Sequence, residues 1–221
     1  HTHERPTQSR GARGVSNGRR CYESTMLAPS LVMTFLVALL LHAQKSANTK
    51  LEWVVKPAAS VTFVVTGFLQ GGMGSTFGRV VVAGLCLAAL GDVLLIPKDK
   101  RAFLAGLVAF LLGHVAYGAA FVVRGIDPGT TLVVLLVFTL VAIPVLRWLW
   151  PSVSVDMRKP VAAYIVVITI MVALSAGAAR KDGAWLLVLG AVAFYLSDLS
   201  VARDRFVKKE FLNRAWGLPL Y

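Results

Sequence analysis

Leu90-Gly91-Asp92-Val93-Leu94-Leu95 places a carboxylate inside a run of apolar residues long enough to cross a membrane. An ionisable group at that depth is costly, and it marks a functional site by default. The arrangement recurs downstream. Gly84, in Val82-Ala83-Gly84, precedes Asp92 by eight positions, and Gly190, in Val188-Leu189-Gly190, precedes Asp198 by eight. Lys56-Pro57 opens the apolar segment before the first copy and Lys159-Pro160 the one before the second, 36 and 39 positions from Lys to Asp. The chain reads as an internal duplication around two intramembrane aspartates.

The bulk numbers agree with a membrane setting. Hydrophobic residues make up 57% of the chain and charged ones 15%, with a mean hydropathy of +0.69, whereas soluble domains hold about 45–50% apolar residues. The expected fold class is therefore all-α, a polytopic helical bundle. A formal charge of +12 would suggest nucleic acid in a soluble protein, but here the Lys and Arg residues lie in short loops between apolar runs. They read as a topology signal and as attraction to anionic lipid heads, with no nucleic-acid partner. Cys21 lies in the polar N-terminal stretch and Cys86 in mid-span, so neither a disulfide nor a metal cluster is expected.

Residues 1–26 form a basic extension expected to lack order, and residues 27–221 form the transmembrane domain. Seven runs approach the roughly 20 residues that a spanning helix needs: about 27–43, 54–70, 79–96, 102–123, 130–150, 160–179 and 184–202. Gly71-Gly72, Asp127-Pro128-Gly129 and Asp182-Gly183 supply turns between them. Fourteen Lys and Arg residues flank the loops after spans 1, 3, 5 and 7 and four flank those after spans 2, 4 and 6, which puts the first set in the cytoplasm. In a cysteine-free background, an impermeant thiol reagent should label a cysteine at Gly72 in intact cells and not one at Lys100. The reverse pattern would invert the topology.

Spans 3 and 7 then run in one direction, and each Asp lies about four residues before the cytoplasmic end, roughly 6 Å along a helix rising 1.5 Å per residue. Two like-oriented repeats imply a pseudo-twofold axis along the membrane normal with a site near their interface. Lys100-Arg101-Ala102-Phe103-Leu104 also resembles Lys208-Lys209-Glu210-Phe211-Leu212, and the apolar run after the second copy stops at Tyr221. The expectation is seven complete spans, a truncated eighth and an internal parallel repeat, with lipid or a neighbouring protomer of a homo-oligomer covering span 7.

Several side chains gather around the two carboxylates. Gly84, Ala88 and Asp92 share a helical face, and the two small residues let another helix or a lipid approach. Tyr195 lies one turn before Asp198, where it could hold the carboxylate, protonate a leaving oxygen or make a plain interhelical bond. His114 sits near mid-membrane in span 4 with Tyr117 on roughly the same face; it is either a catalytic group or an imidazole bonded to a nearby carbonyl. Lys56 suits a phosphate or carboxylate partner, whereas Lys159, beside Arg158, reads better as a snorkelling anchor. Tyr164 lies four residues past Pro160 at the cytoplasmic level. A zinc site needs three or four ligands; His42 is the only other membrane-region His, and no His-x-x-x-His pair exists. No metal or cofactor is expected, and the absence of a Gly-x-Ser-x-Gly elbow or P-loop leaves serine and nucleotide chemistry unsupported.

Lys-Pro, Gly-Asp-Val-Leu-Leu, Phe-Leu-Leu-Gly-His-Val-Ala-Tyr at 110–117 and Tyr-Leu-Ser-Asp at 195–198 together resemble the YhhN family, in order and spacing, over about residues 27–221. Its animal members are transmembrane lysoplasmalogenases. The resemblance implies an eight-span multi-pass protein of the cell membrane that takes a lysophospholipid from the bilayer. It also implies hydrolysis of the lysoplasmalogen vinyl ether to a fatty aldehyde and glycerophosphocholine or glycerophosphoethanolamine. That reaction needs an acid to protonate the β-carbon and a base to direct water, which suits two carboxylates with different environments. Asp92 and Asp198 are the expected dyad, assisted by His114 and Tyr195, with Lys56, Tyr117, Tyr164 and Lys159 as substrate contacts. The rival reading is a lipid- or cation-binding transporter whose duplicated halves rock about the carboxylates.

Overall fold

Short polar residues between the apolar runs decide where the helices begin. In the computed structural model the backbone is described from Arg10 and the side chains from Leu27, Lys98 excepted. Helix α1 spans Arg10–Lys45. Asn48, Ser75, Asp99 and Asp127 then cap α2 (Thr49–Leu69), α3 (Thr76–Leu94), α4 (Lys100–Arg124) and α5 (Pro128–Leu149). Each cap accepts a hydrogen bond from an amide three residues on, satisfying one of the amides a helix leaves unpaired at its start. Thr130, bonded to Asp127, holds that carboxyl below its ordinary range, so the cap remains charged at neutral pH. A 3₁₀ turn, Trp150–Ser152, leads to α6 (Val155–Asp182), which ends at Gly183 with φ +75°, a left-handed cap that glycine adopts freely. Helix α7 (Leu186–Ala202), a π-helical turn (Arg203–Val207) and α8 (Phe211–Leu220) complete the chain.

Among the described residues six helices are long and apolar enough to cross a membrane: α1 from Leu27, α3, α4, α5, α6 and α7. The chain is an all-helical multi-pass membrane protein. The second expected span departs from its reading. The cap at Asn48 starts α2 about two turns before Pro57, drawing Lys50, Glu52 and Lys56 into the helix. Pro57 and Pro160 both lie inside helices, each removing one backbone donor. Of the expected disordered extension, residues 1–9 lie outside the described residues, and the backbone from Arg10 is continuous with α1.

Helix contacts close a ring, α1·α2·α3·α4·α6·α7·α8 and back to α1, with α5 packed outside against α6. Helix α6 carries the densest core: Tyr164, Ile168, Met171, Val172 and Ala178 are buried against Phe110, Phe121 and Tyr195. The opposite faces of α1 and α5, with Leu31, Phe35, Leu136 and Leu140 exposed, are those that lipid covers. Hydroxyls on these two helices bond back to their own backbone, Thr34 to Ser30 O at 2.8 Å and Thr139 to Leu135 O at 2.7 Å, so neither presents an unmet donor to hydrocarbon.

Candidate functional site

The tightest helix pair positions the first aspartate. Gly84, Ala88 and Gly91 are buried on α3, and α4 approaches so closely that a Cβ at Gly84 would lie 2.5 Å from the Tyr117 ring and one at Gly91 2.6 Å from the Phe110 ring. Asp92 follows on the same face. It accepts from Ser60 Oγ at 2.8 Å on Oδ2 and meets Lys56 Nζ at 3.4 Å on Oδ1. Lys56 and Ser60 are one turn apart on α2, so a single helical face supplies a cation and a hydroxyl to the carboxylate. The carboxylate expected as one partner of Lys56 is Asp92.

Asp198 stands on α7 and is met by two other helices. Tyr164 on α6 donates to Oδ2 at 2.7 Å, and His114 Nε2 on α4 lies 3.1 Å from the same oxygen. His114 is buried, and its Nδ1 is 2.6 Å from Phe110 O. A carbonyl only accepts, so Nδ1 carries a hydrogen. Nε2 and Oδ2 can then be hydrogen-bonded only if one proton lies between them, on the imidazole or on the carboxyl.

Both carboxylates border one cavity of about 540 Å³ to which all eight helices contribute. Leu107, Phe110, Val161, Ile165 and Ile168 form an apolar wall, and the 203–214 segment with its cations lies at one end. Tyr164 also borders it. Tyr195 reaches the cavity edge, yet its hydroxyl turns to the Thr169 hydroxyl, neither of the two having any other partner among the described residues, and its ring packs on Phe138. Of the roles open to Tyr195, holding Asp198 is taken by Tyr164 of α6, while the Tyr195 ring turns toward Phe138 of α5. Tyr117 packs edge-on to His114 and tilted against Phe194, behind the cavity wall. Lys159 is exposed on α6 and does not join the group. No trio of His, Cys, Asp or Glu among the described residues is disposed to hold a metal.

Two participants escaped the sequence reading. Ser60 was detectable as a hydroxyl one turn beyond Lys56. Tyr221 was not: its ring meets Phe63, Phe110 and Phe194 at 5.6, 5.9 and 5.0 Å between centroids, contacts from three helices that no linear pattern encodes.

The chain is similar to the lysoplasmalogenase of Mycobacterium bovis, 37% identical over 148 residues, covering 65% of this chain and 55% of the relative. Human Lysoplasmalogenase TMEM86B is 32% identical over 157 residues, covering 71% and 57%, and bovine Lysoplasmalogenase TMEM86A is 29% identical over 147, covering 64% and 60%. The chain thus spans somewhat over half the length of the curated relatives it matches. No solved structure matches it. The model of the YhhN family matches residues 51–221, a stretch that holds both aspartates, His114 and every side chain bonded to them, and the chain belongs to that family.

Proposed function

We propose that this protein hydrolyses the vinyl ether bond of a lysoplasmalogen, with the His114–Asp198 pair as acid and Asp92 as base. The observation that carries the reading is the unlike environment of two carboxylates on one cavity. Asp198 shares a proton with His114, while Asp92 faces the Lys56 ammonium and the Ser60 hydroxyl, both of which complement a negative charge. Relatives named lysoplasmalogenase support the same chemistry.

The shared proton passes to the β-carbon of the alkenyl chain, making an oxocarbenium ion at the carbon bearing the ether oxygen. Asp92 takes a proton from water as its oxygen bonds that carbon. The resulting hemiacetal then collapses: protonated Asp92 returns its proton to the departing glycerol oxygen, and Asp198–His114 accepts the hemiacetal hydroxyl proton as the aldehyde forms. Both sites end as they began, one water is consumed, and the products are a fatty aldehyde and a glycerophospho-alcohol. Tyr164 fixes the Asp198 carboxyl, Ser60 fixes Asp92, and the alkenyl chain lies along the apolar wall. Tyr195 and Tyr117 shape the wall and Lys159 anchors α6 at the membrane surface.

The unit that does this is residues 27–221 in the cell membrane. Its aspartates occupy equivalent places in a parallel internal repeat, α2 and α3 answering to α6 and α7, with α2 as a further span and α8 as the start of an eighth. Purified protein in detergent, incubated with a 1-alkenyl-glycerophospholipid, should release aldehyde in proportion to enzyme. Binding of that lipid without aldehyde release would favour a lipid-binding or transport role.

A further inference from the structure

At the cavity end formed by 203–214, charges are unevenly matched. Lys208 pairs with Glu210, whose carboxyl is held below its ordinary range by that lysine, and Arg214 pairs with Asp204 at 3.2 Å. Arg205 lies 4.3 Å over the Phe103 ring, and neither it nor Lys209 meets a carboxylate among the described residues. The cavity border also carries the reverse imbalance. Glu52 on α2 accepts from Gln44 Nε2 of α1 at 3.0 Å and meets no cation among the described residues, and the buried Oε1 of that same Gln44 has no hydrogen-bond partner.

Two uncompensated cations, one uncompensated anion and an orphaned buried acceptor border a single cavity. We infer that they form a subsite for a zwitterionic head group bearing a primary ammonium, with phosphate on Arg205 and Lys209 and the ammonium on Glu52 and Gln44. The phosphate end follows from charge alone, since cations presented to a phosphate attract any such head. The ammonium end discriminates. A primary ammonium has three N–H donors, enough for the Glu52 carboxylate and for Gln44 Oε1 together. A quaternary ammonium has none, so it would leave the Gln44 oxygen buried and unmet. A bare phosphate head would leave Glu52 facing added negative charge. Lys56, engaged with Asp92, is released from the phosphate role.

This inference rests on reading the cavity as a lysophospholipid site, and the test keeps the two apart. Aldehyde release from 1-alkenyl-glycerophosphoethanolamine, -phosphocholine and -phosphate would be measured in dodecyl maltoside. The wild-type KM for the ethanolamine substrate should be about tenfold below that for choline, the scale of one lost hydrogen bond to a buried group. Glu52→Gln, close in shape to the original, should raise the ethanolamine KM about tenfold and move the other two by less than twofold. Gln44→Leu should likewise erase the preference. Arg205→Gln with Lys209→Gln should raise all three KM values together. In parallel, binding of the ester lipids lysophosphatidylethanolamine and lysophosphatidylcholine would be followed by calorimetry, with melting temperatures checking that each variant is folded. Equal wild-type affinity for the two heads, or a Glu52→Gln change that shifts all heads alike, would overturn the subsite. If no substrate yields aldehyde, the hydrolase reading fails, and the calorimetric preference and its loss in Glu52→Gln decide the subsite alone.

Discussion

Asp92→Asn and Asp198→Asn should each lower kcat for aldehyde release by about 10²–10⁴-fold, the usual worth of one positioned acid or base, with KM little changed. Asparagine keeps the shape and one oxygen of each carboxyl. Ser60 could still donate at position 92 and Tyr164 at position 198, so the local packing survives. What disappears is the ability to exchange a proton. An amide at position 92 cannot take one from water, and an amide at position 198 cannot share one with His114. The Asp92→Asn protein also leaves Lys56 without its partner, but the Lys56 side chain borders the cavity and is not fully buried, so its head can turn to water. Melting temperatures in detergent should therefore fall by only a few degrees. Either variant retaining activity within tenfold of wild type would remove that residue from the chemistry.

Gly84→Leu should destabilise the protein while Gly190→Leu leaves it unchanged or slightly more stable, although the two glycines hold the same place in the sequence repeat. A side chain at Gly84 starts with its Cβ 2.5 Å from Tyr117 Cε1, on the face where α4 closes against α3. Overpacking such a contact costs about 1–3 kcal/mol, which in a chain of this size lowers the melting temperature by roughly 2–12 °C. Displacing Tyr117 would also disturb His114, its edge-on neighbour, so activity should fall with stability. At Gly190 nothing lies within 4 Å of a built Cβ and the residue is exposed. Leucine there meets open space, and replacing a helical glycine gains up to about 1 kcal/mol of helix propensity. Thermal unfolding of both variants in one detergent measures the contrast; equal shifts would mean that α7 is covered on that face as α3 is.

What the sequence determined by itself was what local chemistry encodes. Apolar runs and short capped loops gave a helical membrane bundle, since in hydrocarbon a chain must satisfy its backbone internally. A carboxylate placed twice within such runs marked Asp92 and Asp198, because the cost of burying charge makes it informative wherever it occurs. Helical spacing alone put Gly84 and Ala88 on the Asp92 face, where α4 packs. Periodicity was weaker at helix ends: Asn48, not Pro57, starts α2, because a side chain that satisfies an open amide outweighs the point at which polarity fades. The tertiary structure alone decided which partners meet the carboxylates. Tyr195, the near neighbour of Asp198 in sequence, turns toward Phe138, while His114 and Tyr164, 84 and 34 positions away, bond it. Contacts between helices depend on which faces the ring of packed helices turns inward, and that is fixed by complementary surfaces far apart in the chain. The proposed roles of acid and base rest on the same cause, since only the folded chain sets a carbonyl behind His114 and an ammonium beside Asp92.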